Sequence, residues 1–231
     1  PVALFSTEHA APWLNSQELV ARFDKMFTDV FDQTSYVVYL RREEDLIVSQ
    51  YSEYVKRGGD KRLDTFIGDR LRGPNQFRIV ERWRRVVGKG RIDVRLMDRS
   101  FLKDGDLLAD FCSACDVERD GLTDIKEANP ALSSVGIEVM RALNVRIPEI
   151  HPNGGINPLR RGILRQVMAL TKDYPKLRLG AADAKRVRDA IGPSNDYMRQ
   201  SFFPDREALY APFEPAYVNQ SSKAINKFLA K

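Results

Sequence analysis

Apolar positions along the first hundred residues fall into two periods, and the changes between them mark the expected elements. Val2 to Phe5 is a short apolar run closed by Ser6-Thr7-Glu8-His9, which reads as a buried strand. Leu19, Val20, Phe23, Met26, Phe27, Val30 and Phe31 then recur at helical intervals, so a helix is expected there, with Asn15 and Glu18 at capping-box spacing. Tyr36 to Leu40 is β-branched and aromatic and ends on Arg41-Arg42, the mark of a second strand. Strand, helix and strand together predict a right-handed βαβ unit with the two strands parallel. From Glu44 to Arg57 the side chains of Leu46, Ile47, Tyr51, Tyr54 and Val55 share one helical face, and Asp45, Ser49, Ser52 and Lys56 project from the other. Gly58-Gly59 supplies the stop.

A short amphipathic piece around Leu63, Phe66, Ile67 and Leu71 follows. Gly73-Pro74-Asn75 ends it and opens a helix with Phe77, Val80, Trp83 and Val87 inward. Ile92, Val94 and Leu96 alternate with Arg91, Asp93 and Arg95, the period of a half-exposed strand. Beyond it the pattern is helical. Helices are expected over Gly105 to Cys115, after a cap at Ser133 or Ser134, over Leu159 to Thr171 and over Ala182 to Ile191. Thr123 to Pro130 reads as a polar connection, Asn153-Gly154-Gly155 as a loop, and Asp196 to Phe203 as a further amphipathic piece leading into Asp205 to Tyr210. The Pro-rich Ala211 to Pro215 precedes a small final helix. The expectation is one α/β domain over 1–231, with parallel strands near 2–6, 36–40 and 91–97 and a largely helical C-terminal half.

Composition narrows the function classes. The chain is 43% hydrophobic and 30% charged, yet its net charge is only +5 because acids and bases are interspersed. That suits an anionic small ligand and argues against nucleic acid, which calls for a clustered basic stripe with aromatics. No window reaches the length of a membrane span and no leader resembles a signal peptide, so a cytoplasmic protein is expected. The first residue is Pro1, and residues missing upstream of it are expected. Cys112 and Cys115 form a single Cys-x-x-Cys on the apolar face of Leu107, Leu108 and Phe111, with His9 and His151 far off in sequence. A buried structural pair is expected rather than a metal site.

The chemistry concentrates where strands turn into helices. In open α/β sheets ligands collect outside the carboxyl ends of the strands, and Arg41 stands at that turn, with Ser49 eight residues on. Arginine keeps its charge and can bond two oxygens of one phosphate, and a serine adds a hydroxyl without bulk. The spacing fits equally an Arg41 paired to Glu44 or Asp45 and a Ser49 facing water. Glu8 and His9, just beyond the first expected strand, would reach the same sheet edge, where either could act as general base. Lys56 reads as a solvated end-of-helix lysine. Neither Gly-x-x-x-x-Gly-Lys-Ser/Thr nor Gly-x-Gly-x-x-Gly is present.

Leu-Arg-Arg-Glu-Glu-Asp-Leu-Ile-Val-Ser-Gln-Tyr, residues 40–51, resembles the 3'-phosphate-binding segment of sulfotransferases that use 3'-phosphoadenosine 5'-phosphosulfate (PAPS). In that family a strand ends in an arginine and a serine eight residues later lies on the next helix. The resemblance implies that Arg41 and Ser49 hold the 3'-phosphate; the family's frequent proline two after the arginine is Glu43 here. Phe5-Ser6-Thr7-Glu8-His9 is similar to the stretch where the family keeps its general base, and Trp83 to Asp98 with Leu102, Gly105-Asp106-Leu107 and Phe111 resembles bacterial carbohydrate-type members. The resemblance covers about Val2 to Phe111, with Ser194-Asn195 to Leu209 as a looser extension. It implies a P-loop NTPase-like sheet and sulfuryl transfer from PAPS, as co-substrate, to a hydroxyl or amine, carbohydrates among the acceptors, with no metal. Glu8, or failing it His9, would be the base. The family's phosphosulfate-binding loop precedes the segment matched by Val2, and no residues here correspond to it. A non-catalytic nucleotide-binding or interaction module of the same fold is the alternative, and another nucleotide-dependent transferase or kinase a third.

Overall fold

A two-stranded parallel sheet lies at the centre of the first of two compact units. β1 (Tyr36–Leu40) pairs with β2 (Ile92–Leu96) in the register Tyr36 to Ile92 through Leu40 to Leu96. The computed structural model describes residues 2–73, 75–122, 130–150, 154–155 and 157–215. The first unit takes in Pro1–Arg42, Gly73–Asp124 and Ile191–Ala211, and the second Glu43–Arg72, Ile125–Ala190 and Pro212–Lys231. The chain is thus mixed α/β, with a parallel strand pair and long helical stretches.

An isolated pair of strands is marginal unless something packs on it. Here the pleat separates two kinds of surface. Leu40, Ile92, Val94 and Leu96 are buried, with Tyr36 and Val38 beside them, against Val20 of α2 (Gln17–Thr28) and Val80, Trp83 and Val87 of α5 (Gln76–Val87). The alternation read from 92–96 is borne out, buried and half-buried in turn. The opposite face carries Tyr39, Asp93 and Arg95 and meets α6 (Leu107–Ala114), whose N-cap Asp106 accepts from Ala109 N. Asn75 caps α5 by accepting from Arg78 N.

No strand forms over 2–6. The segment has no regular secondary structure, and Val2, Leu4 and Phe5 are exposed. Its apolar character goes to a helix: the Phe5 ring meets Phe27 at 5.2 Å and Phe31 at 6.4 Å, both edge-on. The parallel unit is therefore β1 to β2 and not 2–6 to β1. The cap of α2 also differs. Ser16 rather than Asn15 accepts from Leu19 N at 3.2 Å, a contact contributing about 1 kcal/mol.

The second unit is helical among its described residues: α3 (Glu43–Lys56), α4 (Leu63–Arg72), α7 (Ser134–Asn144), α8 (Pro158–Leu170) and the first part of α9 (Ala181–Phe202). Tyr51 and Val55 of α3 pack with Leu132, Ile137, Met140 and Val167. The stop at Gly58-Gly59 is as expected: Gly58 takes φ +89°, its N–H reaches Val55 O and that of Gly59 reaches Tyr54 O, the two bonds of a Schellman ending.

The supposedly solvated face of α3 is largely buried. Ser52 is 1% exposed and accepts from Leu132 N at 2.9 Å, and Lys56 is ion-paired to Glu53 at 2.7 Å. Glu43 and Glu44 are buried with Arg70 at 3.8 Å and Arg188 at 3.5 Å. Periodicity cannot foresee that neighbouring helices bring the countercharges. Likewise α9 runs unbroken through Pro193, joining the two pieces read at 182–191 and 196–203, and 205–210 forms turns. Ser133 caps α7 through Gly136 N. Residues 123–129, His151, Asn153 and the expected final helix lie outside the described residues.

Candidate functional site at the carboxyl edge of the strand pair

Because the strands are parallel, their carboxyl ends lie on one edge. Arg41 and Arg42 leave β1 there, and Met97 and Asp98 leave β2, with Met97 N donating to Leu40 O at 2.7 Å. Gln76, at the start of α5, fixes the backbone of Arg41 from both sides: Arg41 N donates to Gln76 Oε1 at 2.9 Å, and Gln76 Nε2 donates to Arg41 O at 2.6 Å. The peptide is held while the side chain stays half-buried. Among the described residues of the first unit, no carboxylate lies within ion-pair distance of the Arg41 guanidinium. Its neighbour is committed otherwise, Arg42 lying 3.5 Å from Asp98.

Asp98 organises the turn beyond β2. Burial pushes its carboxyl up, but hydrogen bonds from the Ser100 hydroxyl and amide, with the charges of Arg42 and Arg206, outweigh that and hold it below the usual carboxylate range. Arg206 lies over the Phe101 ring, 3.7 Å from its centroid. The edge is thus rich in guanidinium, with Asp98 as the carboxylate among them.

Two part-buried networks clamp the strand pair, one at the amino ends of the strands and one towards their carboxyl ends. Asp24 of α2 receives both terminal nitrogens of Arg91, at 2.8 and 2.7 Å, and the Tyr36 hydroxyl at 2.7 Å. Asp110 of α6 receives Arg95 Nε at 2.7 Å and Nη2 at 3.0 Å, the Tyr39 hydroxyl at 2.6 Å and Lys103 N at 2.9 Å. In each, a helix carboxylate clamps a β1 tyrosine and an arginine of the β2 segment, one on either face of the sheet. The Arg95 guanidinium, then the Tyr39 hydroxyl and Lys103 amide, hold the Asp110 carboxyl well below the usual range against the opposing effect of burial.

The residues singled out from the sequence are placed as follows. Ser49 is half-buried on α3 and belongs to the second unit, whereas Arg41 belongs to the first. Glu44, one of the two partners considered for Arg41 beside Asp45, is held by Arg188. Glu8 and His9 share one exposed turn, with His9 Nε2 3.6 Å from Glu8 Oε1 and His9 N donating to Thr7 Oγ1 at 3.1 Å. The strand expected to carry them to the edge does not form, and no hydrogen bond or ion pair joins either to Arg41. Gln76, Asp98 and Arg206 were not singled out, although Asp98 stands at the end of β2 as Arg42 does at the end of β1.

Cys112 is buried and Cys115 half-buried, both as free thiols, and burial pushes the Cys115 thiol up. Among the described residues no three His, Cys, Asp or Glu side chains gather as a metal site, and no helix is long and apolar enough to cross a membrane.

No family model matches the chain, and no solved structure matches it. It is similar to an uncharacterized protein of Archaeoglobus fulgidus, 28% identical over 109 residues, a stretch that is 47% of this chain and 30% of that protein.

Proposed function

We propose that the chain is a sulfotransferase drawing on PAPS, with Arg41 as a ligand of the donor's 3'-phosphate. The observation that carries this reading is the place of Arg41: it stands at the carboxyl end of a parallel strand, its peptide is pinned by Gln76, and among the described residues of the first unit no carboxylate pairs with its side chain. A buried or half-buried guanidinium without a carboxylate gains most from a ligand that brings the negative charge.

The reaction is an in-line transfer. The acceptor oxygen or nitrogen forms a bond to sulfur as the bond from sulfur to the donor's phosphate oxygen breaks. The acceptor proton passes to Glu8 or His9, and adenosine 3',5'-bisphosphate leaves. Positioning and compensation of the leaving group's charge supply most of the acceleration. A carbohydrate hydroxyl is the acceptor class the family resemblance favours.

Isothermal titration with adenosine 3',5'-bisphosphate and, in parallel, adenosine 5'-monophosphate tests this at the end of the donor that Arg41 would hold. The bisphosphate should bind about tenfold tighter or more, the order expected for one charge-assisted contact. Equal affinity for the two nucleotides, or preference for ATP, would contradict it.

A further inference from the structure

Trp13 is 70% exposed, whereas Trp83 is 8% exposed and packed on Phe23 and Tyr36. Leaving an indole in water forgoes the stabilisation of burying a large aromatic side chain, so its placement calls for an explanation. It stands on α1 (Ala10–Trp13), a single turn whose inner side is anchored. Ala10 and Leu14 pack against the core of the first unit, Arg82 Nη1 donates to Leu14 O at 2.9 Å, and Trp13 N donates to His9 O at 3.1 Å. The turn is fixed from within and presents the indole outward.

One face of that indole is taken by the His9 imidazole, stacked at 4.7 Å with 12° between the planes. Next to the pair stands the Glu8 carboxylate, 3.6 Å from His9 Nε2 and itself exposed. An outward aromatic plane beside carboxylate and imidazole acceptors suits one ligand chemistry well. A pyranose ring has a C–H face that packs on the electron-rich face of an indole, and a rim of hydroxyls that donate to carboxylate and imidazole. A purely apolar partner would leave Glu8 and His9 desolvated and unpaired.

We infer that Trp13, with Glu8 and His9, forms the platform on which a sugar ring of the acceptor is bound. This rests on the reading above that Glu8 or His9 takes the acceptor proton, and it deepens it: the indole would hold the ring so that one hydroxyl lies against the base. Trp13 is a binding group and takes no part in proton transfer.

The test is a titration of the whole chain with short oligosaccharides of glucose, N-acetylglucosamine and mannose, followed by tryptophan emission, to which buried Trp83 contributes a background that ligand does not reach. At least one sugar should give a saturable change. Trp13→Ala should weaken that binding by about tenfold, read calorimetrically, while Trp13→Tyr, which keeps an aromatic plane, should retain most of it. Bisphosphate affinity should be the same in wild type and Trp13→Ala, so loss of nucleotide binding by the wild type would sink the sulfotransferase reading separately. Sugar binding unchanged in Trp13→Ala, or no sugar in the panel bound by the wild type, overturns the platform. So does a fall in sedimenting mass on replacing Trp13, since a second copy of the chain would then be what covers it.

Discussion

Asp110→Ala should be among the most damaging single changes in the first unit, lowering its stability by about 3–5 kcal/mol in urea denaturation. The carboxylate is 2% exposed and accepts four hydrogen bonds, two of them from Arg95. Its loss leaves a half-buried guanidinium, a tyrosine hydroxyl and a backbone amide without their acceptor. A cost below about 1 kcal/mol would mean that water takes over these donors and that the network is peripheral. The pH dependence has a definite sign. The folded carboxyl lies below its unfolded value, so the stabilisation is fully present above about pH 4 and is lost as pH falls through the folded value. Asp110→Asn should accordingly flatten the acid limb of the stability profile.

Asn144→Ala is the corresponding test of the second unit, with an expected loss of about 2–4 kcal/mol. The Asn144 amide donates to Val55 O at 2.8 Å and Gly59 O at 2.7 Å, and its oxygen accepts from Arg160 Nη2 at 3.0 Å. Arg160, 4% exposed, also donates to Val55 O at 3.1 Å. These groups satisfy carbonyls at the end of α3, where cationic side chains also oppose the helix dipole. Burial pushes the Arg160 guanidinium below its ordinary value, the Glu149 charge partly opposing this, so its amide partner matters more than usual. Thermal and urea unfolding should both register the change, and an unaltered midpoint would show that α3 ends stably without the cap.

How far each feature was legible depends on whether its cause was local. The alternation at 92–96, the Schellman ending at Gly58-Gly59 and the caps at Asn75 and Ser133 rest on residues within a few positions of one another, and all were readable. The run at 2–5 had the composition of a strand, but a strand also needs a neighbour to bond to, and Phe5 meets Phe27 and Phe31 instead. The polar side of α3 looked solvated because Arg70, Arg188 and Leu132, which bury it, are distant in sequence. At the candidate site, Arg41 was readable from its place after β1. The role of Gln76 was not, since it lies thirty-five residues on and holds Arg41 by its backbone.

The central claim is that the Arg41 side chain receives a ligand's phosphate. Titration of wild type, Arg41→Ala and Arg22→Ala with adenosine 3',5'-bisphosphate tests it, Arg22 being an exposed residue paired to Glu18 on α2. Arg41→Ala should weaken binding by about 1.5–3 kcal/mol, roughly ten- to a hundredfold, while Arg22→Ala binds as wild type does. Equal affinity in Arg41→Ala and wild type would contradict the claim.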